Sequence, residues 1–275
     1  MKKRGTTIIL LIVLIVGLSL LLYPTFADWW NSMHQSRAVA SYVEKVANLD
    51  EEQYAELLEA AQDYHQSLLG RSNDYILSEE QKQIYDQILD VGGLGIMGYI
   101  EVPSIGVTLP VYHGTDESVL RVAIGHLEWT SLPVGGESSH CVVSGHRGLP
   151  SARLFTDLDK LVVGDIFVFR VLDEVLTYEV DQILIVEPHE TQALQIVEGE
   201  DLCSLITCTP YGINSHRLVV RGHRVENQEE AVAIRVTADA TQIEPIIIAP
   251  ILALPMMLIL LIGLLIPRPR RRRLD

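Results

Sequence analysis

The sequence predicts a mainly-β protein: a closed or nearly closed barrel of short strands behind a helical N-terminal region, held between two membrane-crossing runs. Three observations carry this. From Gly98 onward, short apolar and β-branched segments alternate with Gly, Pro and Asp turns, the pattern of a barrel. Between Asn31 and Leu69, apolar residues recur at helical spacing. Thr7 to Tyr23 is almost wholly apolar, and Ile246 to Ile266 is apolar apart from two prolines and a glycine, each near the length needed to cross a bilayer.

The two apolar runs set the topology. Lys2, Lys3 and Arg4 precede the first, while Arg268 and Arg270 to Arg273 follow the second. Without those cations and Asp275, 13 basic and 35 acidic residues remain, a net of −22 within a chain whose total is −15. The positive-inside rule puts both basic ends in the cytoplasm and the acidic middle outside the membrane. So acidic a domain is a poor partner for nucleic acid. Thr25-Phe26-Ala27 offers the small residues a signal peptidase reads, but the run is longer than a usual signal core and Trp29 and Trp30 suit an interfacial anchor. A retained anchor in contact with membrane lipid is the expectation. Pro250 and Pro255 are tolerable in a second spanning helix.

The chain in order supports these divisions: 1–27 basic tail and first span or signal anchor, 28–95 helical region, 96–226 barrel, 227–245 linker, 246–266 second span, 267–275 basic tail. Val39, Tyr42, Val43 and Val46 share one helical face, as do Tyr54, Leu57, Leu58 and Ala61. Asn48-Leu49-Asp50 breaks the stretch, with Asp50 as N-cap and Gln53 completing a capping box. Ser78 and Gln81 repeat that spacing and open a helix to about Leu89. Gly92, Gly93 and Gly95 mark the boundary. Strands are expected near Gly98–Val102, Val107–His113, Cys141–Ser144, Asp165–Val171, Leu176–Ile185, Leu202–Thr207 and Arg217–Gly222, with brief helical turns at Asp116–Val122 and Leu154–Leu158.

Three strand ends carry reactive groups. Cys208 stands where an apolar strand runs into a Pro-Tyr-Gly turn. Arg217 opens the next strand. Upstream, Cys141-Val142-Val143-Ser144-Gly145-His146 repeats the design, with a histidine at a glycine-flanked exit. A thiol, an imidazole and a guanidinium so placed could supply nucleophile, proton carrier and anion holder. Each also has a plain reading: a buried structural thiol, one of nine histidines, a surface cation. Arg221 rivals Arg217, because residues i and i+4 share one strand face. No His, Cys or carboxylate cluster has convincing metal spacing.

These residues resemble the sortase family, whose signature strand ends Thr-Leu-x-Thr-Cys. Here it reads Ser204-Leu205-Ile206-Thr207-Cys208, departing only at the first position. Gly98-Tyr99-Ile100-Glu101-Val102-Pro103, Leu109-Pro110-Val111-Tyr112-His113-Gly114-Thr115, Thr130-Ser131-Leu132-Pro133-Val134-Gly135-Gly136, Gly145-His146-Arg147-Gly148-Leu149-Pro150 and Thr207-Cys208-Thr209-Pro210-Tyr211-Gly212 are similar to the pilus-assembling class C branch. The resemblance covers Gly98 to Arg224. Several linked motifs in order are more specific than a lone Cys and His.

The resemblance implies a sortase-like eight-stranded β-barrel and a cysteine transpeptidase needing no cofactor. Cys208 would be the nucleophile, His146 the proton carrier and Arg217 the oxyanion donor, with Thr207, Ser144 and Tyr211 against the substrate. The substrate would be a pilin or surface protein bearing a Leu-Pro-x-Thr-Gly-like motif, and the acceptor a pilin lysine. A class C lid would carry an Asp-Pro-aromatic motif. The nearest match, Asp74-Tyr75, lacks the proline, and an ordinary linker over about 70–77 stays open beside it. If the strands of Cys141 and Cys203 are parallel neighbours, as the resemblance implies, their thiols lie side by side, crosslinked or not. Two other readings remain: a sortase attaching proteins to cell-wall peptide, and a non-catalytic surface scaffold.

Overall fold

The computed structural model describes residues 2–69 and 76–227. Asp74-Tyr75, the linker beyond 227, the run 246–266 and the basic tail lie outside the described residues. Helix α1 spans Lys2–Ala47 as one element with Pro24 inside it. The sequence had suggested an apolar run and a separate later helix. The part up to Ala27 belongs to one compact unit, and a second unit begins at Asp28. In the first, α1 is apolar enough to span a bilayer, and none of its most apolar window is buried.

In the second unit, α2 (Glu51–Leu68) starts at Asp50, whose carboxylate accepts from the Gln53 amide while the Gln53 side chain accepts from the Asp50 amide. That reciprocal box satisfies two amide donors that the first helical turn leaves unpaired. Ala61, Tyr64, His65 and Leu68 form its buried face. Helix α3 (Glu79–Tyr85) starts with the same box at Ser78 and Gln81. It ends before Leu89, which takes a left-handed φ of 62°.

Eight strands follow: β1 (Ile96–Val102), β2 (Val107–His113), β3 (Ile124–His126), β4 (Ser139–Ser144), β5 (Ile166–Val171), β6 (Glu174–Val186), β7 (Asp201–Thr209) and β8 (His216–Val225). A one-turn helix α4 (Glu117–Leu120) precedes β3. The strands close in the order β1-β2-β3-β4-β7-β8-β6-β5, so no edge is left open. Two pairings are parallel, β2 with β3 and β4 with β7; the others are antiparallel.

Both faces of the β4–β7–β8 sheet are covered, which explains its nearly continuous apolar sequence. Cys141, Val143, Cys203, Leu205, Leu218 and Val220 belong to the main core. Val142, Ile206 and Val219 join Leu194 in a smaller outer cluster. The strands alternate in step, as a two-residue side-chain period requires. Helices cover another part of the barrel. Tyr42 of α1, 1% exposed, donates to the Met97 carbonyl at 3.0 Å and accepts the Leu172 amide at 2.7 Å.

Sequence reading missed β3, three residues long with a glycine at its centre. A Cβ on Gly125 would lie 2.0 Å from the Gly114 carbonyl oxygen, so only glycine lets the two backbones approach. His126 anchors the strand: its Nδ1 lies 2.9 Å from the Tyr85 hydroxyl, and its Nε2 2.9 Å from the Ser131 carbonyl.

Candidate active site

The parallel β4–β7 register carries two chain exits to one rim. Ser144 pairs with Ile206, and Gly145 donates its amide to the Ile206 carbonyl at 3.0 Å. The ladder ends there, two residues short of His146 on one chain and of Cys208 on the other. Thr207 tightens the junction: its Oγ1 donates to the Gly145 carbonyl at 2.7 Å. The Thr207 side chain is therefore turned into the sheet junction and buried. Cys208 itself is half-buried.

The third group arrives from β8. Cys208 and Arg217 are in-register partners in the antiparallel β7–β8 pair. Directly opposed residues have Cβ atoms about 5 Å apart, within reach of a guanidinium. Among the described residues, Arg217 donates only to backbone carbonyls, of Asn214 at 3.3 Å and His216 at 3.2 Å. Arg221, its rival in the sequence, is engaged elsewhere. It pairs bidentately with Asp181 at 3.0 and 2.8 Å and stands opposite Ser204.

His146 has a neighbour that sequence reading did not find. Its Nε2 lies 3.4 Å from Oε2 of Glu117 on α4, while Oε1 of Glu117 accepts from Arg121 Nε at 2.8 Å. Hydrogen bonds from Arg121 and then His146 hold the Glu117 carboxyl below its ordinary range. An exposed carboxylate on a one-turn helix gives no sequence signal of the side chain it faces.

A groove of about 210 Å³ lies against the outer face of the sheet, with Arg217 among its lining residues. Ser144, Ile206, Val219, Trp129 and Leu194 line it, with Pro188 and Thr191 from the β6–β7 connection. Its walls are mostly apolar, with one cation, Arg217, and two carboxylates, Glu187 and Glu190, among the lining residues, a mix that can seat an extended peptide. Tyr211, in the turn after β7, is 61% exposed, its ring beneath the Arg147 guanidinium. A larger hollow of about 430 Å³, between α2 and the segment after α3, holds none of the candidate reactive groups.

Below the rim, Cys141 and Cys203 are in-register partners, buried and present as thiols. Burial, then hydrogen bonding with Cys141, pushes the Cys203 thiol well above its ordinary range. Three histidines are buried parts of the scaffold: His65 on α2, His126 on β3, and His140, which lies 2.8 Å from both the Gln195 carbonyl and Ser204 Oγ. Among the described residues, no group of three or more His, Cys, Asp or Glu side chains is arranged to hold a metal ion.

The sortase domain family matches residues 100–225. Sortase C1 from Streptococcus agalactiae superposes with a TM-score of 0.68 at 48% identity, covering 70% of this chain and 100% of that one. Sortase C-1 from Streptococcus pneumoniae does so with a TM-score of 0.63 at 45% identity, again over 70% and 100%. Among curated proteins, sortase D of Bacillus subtilis is 29% identical over 131 residues, 46% of this chain and 63% of that protein. The match thus spans a little under two thirds of that relative's length. With a closed eight-stranded barrel, a strand-end cysteine opposite an arginine, and near-half identity to whole sortase C structures, the chain belongs to the sortase family of cysteine transpeptidases, on its class C side.

Proposed function

We propose that this protein is a membrane-anchored transpeptidase that polymerises pilin subunits. A Leu-Pro-x-Thr-Gly-like sorting motif lies in the groove over β4 and β7, its threonine carbonyl brought to Arg217. The Cys208 thiolate attacks that carbonyl carbon. Arg217 donates to the oxygen as negative charge grows on it, an interaction stronger in the transition state than before it. His146 protonates the glycine nitrogen as the Thr–Gly bond breaks, which leaves a thioester on Cys208. A lysine amine of the next pilin then attacks the thioester and loses a proton to His146, forming an isopeptide bond and releasing the Cys208 thiolate beside a protonated His146. Ser144 is a groove-wall contact for the motif in this reading, Thr207 acts through Gly145, and Tyr211 faces the acceptor side.

The observation that carries the reading is the alignment of Cys208 with Arg217 across β7–β8 and with the exit of β4 that bears His146. The proposed topology has two spans, α1 and the run 246–266, with the acidic barrel outside the membrane. It is supported by the exposed apolar surface of α1 and by cationic residues at both chain ends.

The test uses the full chain in lipid vesicles, a labelled Leu-Pro-x-Thr-Gly peptide and two competing acceptors, a pilin-derived lysine peptide and a cell-wall peptide amine. Mass spectrometry should find the peptide, cleaved after threonine, on Cys208, and isopeptide product with the lysine acceptor. Preferred transfer to the wall peptide would make the protein a surface-protein anchoring enzyme. Full turnover by Cys208→Ala would overturn the chemistry.

A further inference from the structure

Cys208 and His146 are bracketed by contacts on both sides. The residue before the thiol, Thr207, donates to the residue before the imidazole, Gly145. The residue after the thiol, Thr209, has its Oγ1 3.4 Å from Nη1 of Arg147, the residue after the imidazole. Nη2 of Arg147 forms an ion pair with Asp159, from the connection between β4 and β5. The guanidinium carbon lies 5.8 Å from the centre of the Tyr211 ring, within cation–π range. That ring also packs on the backbone of Gly148, where a Cβ would come within 2.6 Å of it.

Three features set this arginine apart from a surface cation. Its side chain is only 10% exposed, although Asp159 is 45% exposed. Its buried Nε has no acceptor among the described residues, a cost that packing alone gives no reason to accept. Its partners use different parts of one planar group: Nη1 for Thr209, Nη2 for Asp159, the face for Tyr211. A lysine ammonium could satisfy one of them but not the set.

We propose that Arg147 is a positioning residue for the transpeptidation. Fixed by Asp159, it ties the turn after β7 to the loop after β4. It thereby sets the spacing between the Cys208 sulfur and the His146 ring while the peptide bond is broken. This rests on the reading of Cys208 as nucleophile and His146 as proton carrier. The β8 ladder holds the end of β7 on one side; towards the loop after β4, Thr207 gives one side-chain tie and Arg147 the second.

The experiment compares wild type, Arg147→Lys, Arg147→Met, Asp159→Asn and Cys208→Ala as full chains in vesicles with the labelled sorting peptide. Single-turnover thioester formation, KM, the rate of Cys208 alkylation by iodoacetamide and the melting temperature are read for each. Misplacing reacting groups by about an ångström costs up to about 100-fold in rate. Thioester formation should fall about 10- to 100-fold in both Arg147 variants, with KM within about twofold and alkylation within about threefold. Asp159→Asn should fall less, because Thr209 and Tyr211 remain in place. Its exposed site keeps the test alive if an Arg147 variant does not fold. Wild-type thioester formation in Arg147→Lys, or a raised KM at unchanged maximal rate, would overturn the proposal. So would a lowered melting temperature with normal rates. Turnover by Cys208→Ala would instead remove the reading beneath it, so the two failures are distinguishable.

Discussion

Arg217 stands directly opposite Cys208 across the β7–β8 pair and lines the same groove as Ser144 and Ile206. If Cys208 is the nucleophile, as proposed, a cation held opposite it by strand register is in place before substrate arrives and needs little reorganisation during reaction.

Replacing Arg217 by Ala should lower kcat by about 10²- to 10³-fold, the usual effect of losing one oxyanion donor, with a smaller change in KM. Arg217→Lys should stay well below wild type, because a point charge does not reproduce the fork. Arg221→Ala should keep kcat within a few-fold and lower the melting temperature instead, since it leaves Asp181 without its bidentate partner. Steady-state cleavage of a fluorogenic sorting peptide, alongside thermal melts, distinguishes the two arginines. The reverse pattern would move the oxyanion role to Arg221.

Tyr42→Phe should destabilise the protein by about 1–3 kcal/mol, because it leaves the Leu172 amide and the Met97 carbonyl without their buried partner. Urea titration measures this directly. An unchanged midpoint would show that α1 contributes only apolar area at this point.

Stability should fall with acid through His140. Burial lowers its value to about 4, against about 6.5 for the unfolded chain. Between those limits the unfolded state binds the extra proton, so stability rises with pH. The contribution is complete above pH 6.5 and is lost as pH falls towards 4, by at most about 1.4 kcal/mol per pH unit. His65, also lowered by burial, adds to the slope in the same direction. His140→Gln should therefore flatten part of the fall in urea midpoint between pH 7 and pH 5. An equally steep fall in the variant would assign the acid sensitivity to other groups.

Gly125→Ala should be among the most damaging single-methyl changes in the barrel, since the added carbon would meet the Gly114 carbonyl oxygen at 2.0 Å. Overpacking against movable side chains costs about 1–3 kcal/mol, and here the obstacle is backbone. Loss of soluble, folded protein or a melting temperature lowered by many degrees is expected. A near-native melt would mean that β3 shifts to make room.

The barrel was legible in sequence because seven of its strands carry apolar or β-branched runs between turn residues. The eighth, Ile124–His126, is too short to show a period; the Gly125 approach and the polar anchoring of His126 fix it, and both are tertiary. The helix N-termini were legible because capping is local: Asp50 with Gln53 and Ser78 with Gln81 are three residues apart. Helix ends were less so. Leu89 departs into a left-handed turn that its side chain does not announce. At the rim, Cys208, His146 and Arg217 stood out as strand-exit residues with reactive chemistry. Glu117 and Asp159 did not, because their significance lies in which strand exit they face. The pairing of Cys141 with Cys203 followed only once parallel strands were assumed, and the register has that form.

The parallel pairing of β4 with β7 also bears on how this chain can change over generations. In either strand, inserting or deleting one residue would turn its inward row outward, bringing Val142 or Ser204 into the interior and moving Cys141 or Cys203 to the face of the groove. Loops elsewhere can lengthen at small thermodynamic expense. These two segments can alter their letters but not their length, so descendants of this gene should show substitutions there and size variation almost everywhere else.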